Sequence, residues 1–95
     1  MYNPMHPGEF IRSVYLEPSN ISGRTLAESL KLDPSTVNRL LAGKSRVSEE
    51  MALRLSVVLG RTPESWLAMQ NQYSLWTAKQ EFDEKALSRL EAIPA

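Results

Sequence analysis

Two amphipathic helical patterns in this sequence are separated by only three residues, Lys31, Leu32 and Asp33. So short a connection between helices forces a tight angular turn. The two helices then bury a shared face only if their apolar residues fall on the inside of that angle, and the sequence meets this condition. Ala27 is small where the second helix of the pair must approach closely. The expected shared face consists of Leu26, Ala27, Leu30, Leu32, Val37 and Leu40.

Capping residues and prolines mark where the helices begin and end. N-cap side chains precede four helices, namely Ser22, Asp33, Ser48 and Thr62. Proline occupies the first helical position of the third and fifth helices, and Pro7 is suited to begin the first. Gly43 and Gly60 mark helix ends. Because no alternating strand pattern occurs, we expect an all-α fold, with a five-helix domain over residues 1–78 and a C-terminal helical extension or tail over 79–95.

Apolar periodicity predicts which side of the other helices faces the core. The first helix has Phe10, Ile11, Val14 and Tyr15, and the fourth has Met51, Ala52, Leu55, Val58 and Leu59. In the fifth helix Trp66 and Met69 are expected in the core. Tyr73 and Trp76 continue that stripe beyond what so small a core can cover. We therefore expect these two aromatic side chains to be exposed on the monomer and to form the interface of a homodimer.

Several classes of protein are excluded or disfavoured by composition. The chain has no cysteine, which excludes disulfides and thiolate metal sites. No apolar run approaches the ~20 residues that span a bilayer, so we expect a soluble, cytoplasmic protein without a membrane partner. His6 is the only histidine and is expected to have a terminal or capping role rather than a catalytic or metal-binding one. Glu49 and Glu50 point in different directions and so do not form an acid/base pair. We therefore expect no enzyme, no metal site and no cofactor.

The formal net charge is zero, but the charges are unevenly distributed. Between residues 23 and 46, Glu28 and Asp33 oppose the basic residues Arg24, Lys31, Arg39, Lys44 and Arg46. Between residues 62 and 95, acidic residues are in excess. A basic middle and an acidic end suggest two different partner surfaces, although scatter in a short chain is the alternative.

The third helix has the composition of a helix that reads DNA. At about 100° per residue, Val37, Leu40 and Leu41 share one side. The outer side and its border carry Ser35, Thr36, Asn38 and Arg39, which are expected to contact base edges in a major groove. Phosphates are expected to be held by Arg24, Lys44 and Arg46 and by the backbone N–H groups that follow Ser22. The alternative is an ordinary solvated surface helix.

The stretches "HPGEFIR" and "LAESLKLDPSTVNRLLAGKSRVSEEMALRLSVVLGRTPESWLAMQNQYSLW" resemble the HigA-type (VapI-like) antitoxins, and residues 22–67 resemble the broader Xre/Cro helix-turn-helix (lambda repressor-like) domain. This resemblance implies two activities. The protein would neutralise a cognate toxin, an mRNA-cleaving RNase of the HigB type. It would also repress its own operon by binding operator DNA as a dimer. The resemblance leaves the toxin-binding residues unknown.

Two positions depart from the pattern of this family. Many relatives have glutamine at the position of Gly23, where it orders a phosphate contact. Glycine is usual at the position of Lys31, and we therefore predict either a strained, positive φ at Lys31 or an altered turn. These departures keep open the alternative of an interaction module with a degenerate helix-turn-helix. A stand-alone Xre-type repressor without a toxin is a second alternative. The sparse apolar pattern of Phe82, Leu87, Leu90 and Ile93 fits either a short helix or a segment that orders on a partner.

Overall fold

The computed structural model describes residues 3–92, and its regular elements are all helical. Helix α1 spans Pro7–Ile11 and continues into a π-helical turn, Arg12–Leu16. The remaining α-helices are α2 (Gly23–Leu30), α3 (Pro34–Leu41), α4 (Glu49–Val58) and α5 (Pro63–Glu81), followed by a 3-10 turn at Glu84–Ala86. No helix within the described residues is long and apolar enough to cross a membrane. The expected five-helix, all-α architecture is confirmed.

All four predicted N-caps form as expected. The side-chain oxygens of Ser22, Ser48 and Thr62 accept hydrogen bonds from the backbone N–H three residues later, at 3.0–3.2 Å. The Asp33 carboxylate accepts from the N–H of Ser35 at 2.8 Å. Each cap satisfies one of the N–H groups that a helix start leaves without an internal partner. These local contacts fix where α2, α3, α4 and α5 begin.

One apolar cluster packs between the helices. Its fully buried members come from every α-helix and include Ile11, Leu30, Val37, Leu40, Leu55 and Trp66. The Trp66 side chain is 0% exposed, and its indole N–H donates to the carbonyl of Gly60 at 2.9 Å. The rings of Phe10 and Tyr15 lie about it, with centroids 6.0 and 6.1 Å away. The predicted core position of Trp66 is therefore confirmed.

Gly8 allows α1 to lie directly against the C-terminal half of α3. A Cβ atom added at Gly8 would lie 1.8 Å from the backbone carbonyl oxygen of Leu40. Only a residue without a Cβ fits this approach, because the obstructing atoms belong to backbone rather than to a flexible side chain. The N-terminal segment is therefore attached to the helix-turn-helix.

The first helix departs from the predicted pattern at Val14. The N–H of Glu17 donates to the carbonyl of Arg12 at 2.9 Å, five residues earlier, so this turn holds one residue more than an α-helical turn. That extra residue rotates the following side chains, and Val14 is 48% exposed. The expectation that Val14 would join the buried stripe was wrong.

The C-terminal extension contains little regular structure beyond α5. Helix α5 itself continues to Glu81, and only the 3-10 turn follows within the described residues. Phe82, Leu87 and Leu90 are 61–69% exposed. Ile93, the last residue of the predicted apolar pattern, lies outside the described residues. The domain boundary at residue 78 remains a prediction.

Candidate nucleic-acid interface

The outer face of α3 displays all four side chains expected to read bases. Ser35, Thr36, Asn38 and Arg39 are exposed, whereas Val37, Leu40 and Leu41 are buried in the core. Val37 and Leu40 are each 0% exposed, so the rotation of α3 about its axis is fixed by packing. The helix therefore presents one polar face outward as a rigid surface.

The N-terminal end of α3 has a defined hydrogen-bonding arrangement. The Ser35 hydroxyl donates to the Asp33 carboxylate at 2.6 Å, and the Ser35 N–H donates to the same oxygen. Hydrogen bonds from the Ser35 side chain and backbone hold the pKa of Asp33 below its ordinary value. Because the Ser35 proton is committed to Asp33, the Ser35 oxygen offers lone pairs outward. It is thus suited to accept from an amino group on a base rather than to donate to a phosphate.

Asn38 lies over the start of α2, where Gly23 leaves room for it. A Cβ added at Gly23 would come within 2.8 Å of the Asn38 side-chain oxygen and 3.2 Å of a Leu41 methyl group. Gly23 is the first residue of α2, and the absence of a side chain there brings α2 and α3 close together. The departure from the usual glutamine therefore changes the surroundings of a candidate base-reading residue.

The C-terminal end of α3 links Arg39 to the loop that follows. The N–H of Lys44 donates to the Arg39 carbonyl at 2.9 Å, and the N–H of Gly43 donates to the Leu40 carbonyl at 3.0 Å. This is a Schellman motif, which requires a left-handed residue just past the helix, and Gly43 has a φ of +77°. The predicted stop at Gly43 is confirmed, and the motif fixes the direction in which the chain leaves α3.

Unpaired cations flank the outer face of α3. Arg24 lies in the first turn of α2, and Lys44 and Arg46 lie in the loop after α3; all three are exposed. Within residues 3–92 an ion pair forms between Arg54 and Glu50, and none involves Arg24, Arg39, Lys44 or Arg46. Carboxylates in the described part of the chain therefore do not form ion pairs with the cations around α3.

Ser22 contributes through the helix terminus rather than through its own hydroxyl. That hydroxyl accepts from the Thr25 N–H at 3.1 Å and donates to the Thr25 hydroxyl at 3.0 Å. It is therefore occupied by capping. The N–H groups of Gly23 and Arg24 stand at the start of α2, where helical geometry provides no acceptor. Together with the positive end of the helix dipole, they can bind an anion.

The turn between α2 and α3 contains the predicted strain. Lys31 has a φ of 60° and a ψ of 43°, in the left-handed region. Its N–H donates to the Glu28 carbonyl, and the Leu32 N–H donates to the Ala27 carbonyl at 3.0 Å. This is the same Schellman geometry that ends α3, here built on a lysine. The turn therefore keeps its helix-turn-helix form despite the absence of glycine.

Comparison with known proteins bears on this arrangement of α2 and α3. The helix-turn-helix family matches residues 14–67. A transcriptional regulator of the helix-turn-helix type from Escherichia coli, YddM, is 42% identical over 90 residues, which cover 95% of each chain. Antitoxin HigA-1 of Vibrio cholerae is 34% identical over 83 residues, covering 87% of this chain and 78% of the antitoxin. This chain belongs to the HigA-like helix-turn-helix family.

Solved structures agree with that family assignment. Antitoxin GraA matches with a TM-score of 0.87 and 38% identity, over 95% of this chain and 100% of GraA. Pseudomonas aeruginosa antitoxin HigA, solved with the higBA promoter, matches with a TM-score of 0.84 and 32% identity, over 96% of this chain and 99% of HigA. The family is one of regulators and antitoxins rather than of enzymes.

In this HigA-like chain, Tyr73 and Trp76 are half-buried rather than fully exposed. The residues that cover them belong to the N-terminal segment, where Pro4 and His6 are buried. The rings of His6 and Tyr73 meet edge to face with centroids 4.9 Å apart. The expectation that a small core would leave this pair exposed was wrong, because it ignored packing by residues 3–6. Their place in a dimer interface remains a prediction.

His6 takes the capping role expected of it. Its Nδ1 accepts from the N–H of Gly8 at 2.9 Å, which caps α1. Burial lowers the pKa of His6, while a hydrogen bond with the backbone of Ser45 and the nearby Glu9 carboxylate oppose that shift. His6 therefore joins the N-terminal segment, the loop after α3 and, through Tyr73, helix α5.

Within residues 3–92 of the HigA-like chain, Gln70 is a second buried polar side chain beside His6, and its burial was not predicted from the sequence. It is 4% exposed and accepts a hydrogen bond from the N–H of Val47 at 2.8 Å. The signal was present, because a polar residue stands one position from Met69 on the side of α5 where the core stripe runs. Its partner lies 23 residues away and could not be read from periodicity.

Proposed function

We propose that this protein is an antitoxin that represses its own operon by binding operator DNA as a dimer and that neutralises a cognate toxin. The observation that carries the DNA-binding part is the outer face of α3. Its four polar side chains stand exposed on a helix fixed by packing, and exposed cations lie at the start of α2 and in the loop after α3. Base contacts on the helix and phosphate contacts around it are the two components of sequence-specific binding.

In this proposal each side chain has a distinct chemical task. Arg39 donates two parallel hydrogen bonds to guanine, and Asn38 pairs with adenine through its amide. Ser35 and Thr36, nearest the N-terminus of α3, reach the deepest part of the groove. Arg24, Lys44 and Arg46 hold phosphates, assisted by the N–H groups that follow Ser22.

A homodimer supplies the spacing that operator recognition requires. Two recognition helices must lie about 34 Å apart to enter successive major-groove faces. We propose that α5 forms the interface, through Tyr73 and Trp76 and the adjacent Leu75, which is 57% exposed. Analytical ultracentrifugation tests this assignment, because a monomer mass at all concentrations would exclude it.

Names of relatives support the antitoxin part. The Vibrio cholerae relative and the GraA neighbour are both named antitoxins. The partner would be a ribonuclease of the HigB type that cleaves mRNA. The alternative is a stand-alone repressor, which is favoured by the Escherichia coli relative named only as a transcriptional regulator.

The DNA-binding part is tested by fluorescence anisotropy with DNA from upstream of the coding region and with a scrambled duplex of equal length. We expect the wild type to prefer the upstream DNA, and we expect its affinity to fall steeply as the salt concentration rises. Arg39→Ala should bind the upstream DNA roughly 5- to 150-fold more weakly than wild type. It should also lose most of the preference for upstream over scrambled DNA. Lys85→Ala, at an exposed cation in the 3-10 turn after α5, removes the same charge and should change binding little. Equal binding of the two duplexes by wild type would contradict the proposal.

The antitoxin part is tested by co-expression with the protein encoded beside this one. We expect that neighbour to arrest growth alone, and this chain to relieve the arrest and to co-purify with it. Arg39→Ala should relieve the arrest as well as wild type, because α3 faces DNA in the proposal. A harmless neighbour that does not bind would leave the stand-alone repressor as the function.

A further inference from the structure

We propose that Gln70 is a positioning residue for DNA binding, because it holds the backbone of the loop that carries Lys44 and Arg46. This inference rests on the proposed operator binding and adds a contribution from α5. Gln70 lies on a different helix from every candidate DNA contact, and its link to them is one buried hydrogen bond.

Both polar atoms of the Gln70 amide are hydrogen-bonded. Its Oε1 accepts from the Val47 N–H at 2.8 Å, and its Nε2 donates to the Ser74 hydroxyl at 2.9 Å. The orientation of the amide follows from chemistry, because a backbone N–H requires an acceptor opposite it. Ser74 lies one turn further along α5, so its hydroxyl holds the Gln70 side chain against the helix that bears both.

The loop alternates between anchored and exposed residues. Val47 is 1% exposed and bound to Gln70, and Ser45 is half-buried beside His6. Arg46, which lies between them, is exposed, and so is Lys44, which precedes Ser45. The two candidate phosphate contacts therefore project from a backbone fixed at alternate positions, which also fixes their direction.

Fixing this backbone matters because the bond from the Lys44 N–H to α3 holds only the start of the loop. Residues 44–48 belong to neither α3 nor α4. On loss of the Gln70 acceptor, the Val47 N–H would be buried without a partner, and the loop would open to hydrate it. Arg46, next to Val47, would then have to be ordered when DNA binds, and the ordering entropy would weaken the complex.

The test compares Gln70→Met with Ser74→Ala in the full chain, using anisotropy on the upstream DNA across a salt series. Methionine keeps the length of glutamine and removes its acceptor. Ser74→Ala removes the other partner of the same side chain and leaves the Val47 bond. The salt slope is the slope of the logarithm of the binding constant against the logarithm of the salt concentration. We expect Gln70→Met to reduce its magnitude by about 1 for each phosphate that the loop no longer binds. Ser74→Ala should leave the slope unchanged.

A double-mutant cycle separates positioning from general destabilisation. In a Lys44→Ala/Arg46→Ala background, Gln70→Met should cause little further loss of affinity, because the side chains through which it acts are absent. A loss equal to that in the wild-type background would overturn the inference. A folded Gln70→Met variant with the affinity and the salt slope of wild type would also overturn the inference. If wild type itself fails to bind DNA, the proposed operator binding has failed first.

Should Gln70→Met not fold, amide hydrogen exchange on the wild type provides the same test. Linkage requires that, if closure of the Gln70–Val47 bond favours DNA binding, DNA favours its closure to the same extent. The Val47 amide should therefore exchange more slowly in the complex. Exchange at an unchanged rate, with DNA bound, would overturn the inference.

Discussion

The backbone N–H of Lys44 donates to the carbonyl of Arg39 at 2.9 Å. This bond joins a candidate phosphate contact to a candidate base contact through two peptide groups rather than through flexible side chains. It exists because Gly43 between them has a φ of +77° and turns the chain back on α3. The end of the recognition helix and the start of its phosphate-binding loop therefore have a fixed relative position.

Replacing Gly43 tests this connection. Gly43→Ala should lower the free energy of unfolding by about 1–2 kcal/mol, because a side chain disfavours the left-handed region. Steric contact adds little, since an added Cβ would lie 3.7 Å from the nearest atom of the His6 ring. Urea denaturation measures the effect. Gly43→Asn is the matched control, and its free energy of unfolding should fall less than that of Gly43→Ala, because asparagine tolerates this conformation.

Replacing Lys31 with glycine should stabilise the protein, because Lys31 has the left-handed backbone that glycine adopts at Gly43. Lys31→Gly should raise the free energy of unfolding by about 1 kcal/mol, because it removes the cost of a left-handed lysine in the turn. Lys31→Ala removes the side chain and keeps that cost, so it serves as the control in thermal melts. A melting temperature for Lys31→Gly no higher than that of Lys31→Ala would show that the turn is not strained.

His6 should make stability depend on pH. Burial lowers the pKa of His6 in the folded state below its usual value of 6.5, so the unfolded chain takes up a proton first as the pH falls. Stability should therefore be constant above about pH 7 and should decrease as the pH falls through 6.5, by about 1.4 kcal/mol for each unit between the two pKa values. Thermal melts between pH 8 and pH 5 measure this decrease.

His6→Asn provides the control for that measurement. An asparagine oxygen can accept from the Gly8 N–H in place of Nδ1, and it does not titrate in this range. The variant should therefore lose less stability than wild type on acidification. Equal losses would assign the pH dependence to other groups.

Gly23 should influence DNA binding through Asn38. An alanine Cβ at this position would lie 2.8 Å from the Asn38 oxygen and displace the amide. Gly23→Ala should therefore weaken binding to upstream DNA by about fivefold or more, the lower end of the value of a base contact. In an Asn38→Ala background the same substitution should have little effect. Additive losses in anisotropy measurements would refute the coupling.

The features predicted correctly from the sequence are local in the chain. The cap at Ser22 joins residues three apart, and the left-handed Lys31 follows from the position of one turn. The outward face of α3 follows from helical periodicity. Each depends on neighbouring residues, and so each can be read from a short stretch of sequence.

The features that were missed depend on distant residues or on an altered helical period. Gly8 meets the backbone of Leu40, and Gln70 binds Val47 across 23 residues. Neither contact leaves a trace in periodicity, because each requires the helices to be packed first. Val14 was misplaced because the π-helical turn changes the angle per residue.

The central claim, that α3 reads operator bases through Arg39, is tested most directly by a single-base-pair substitution scan of the upstream site. Binding of wild type and Arg39→Ala would be measured to every variant duplex at one salt concentration. We predict that wild type loses about 1–3 kcal/mol at a guanine in each half-site and that Arg39→Ala loses this discrimination at that position alone. Identical profiles for the two proteins would contradict the assignment of α3 as the recognition helix.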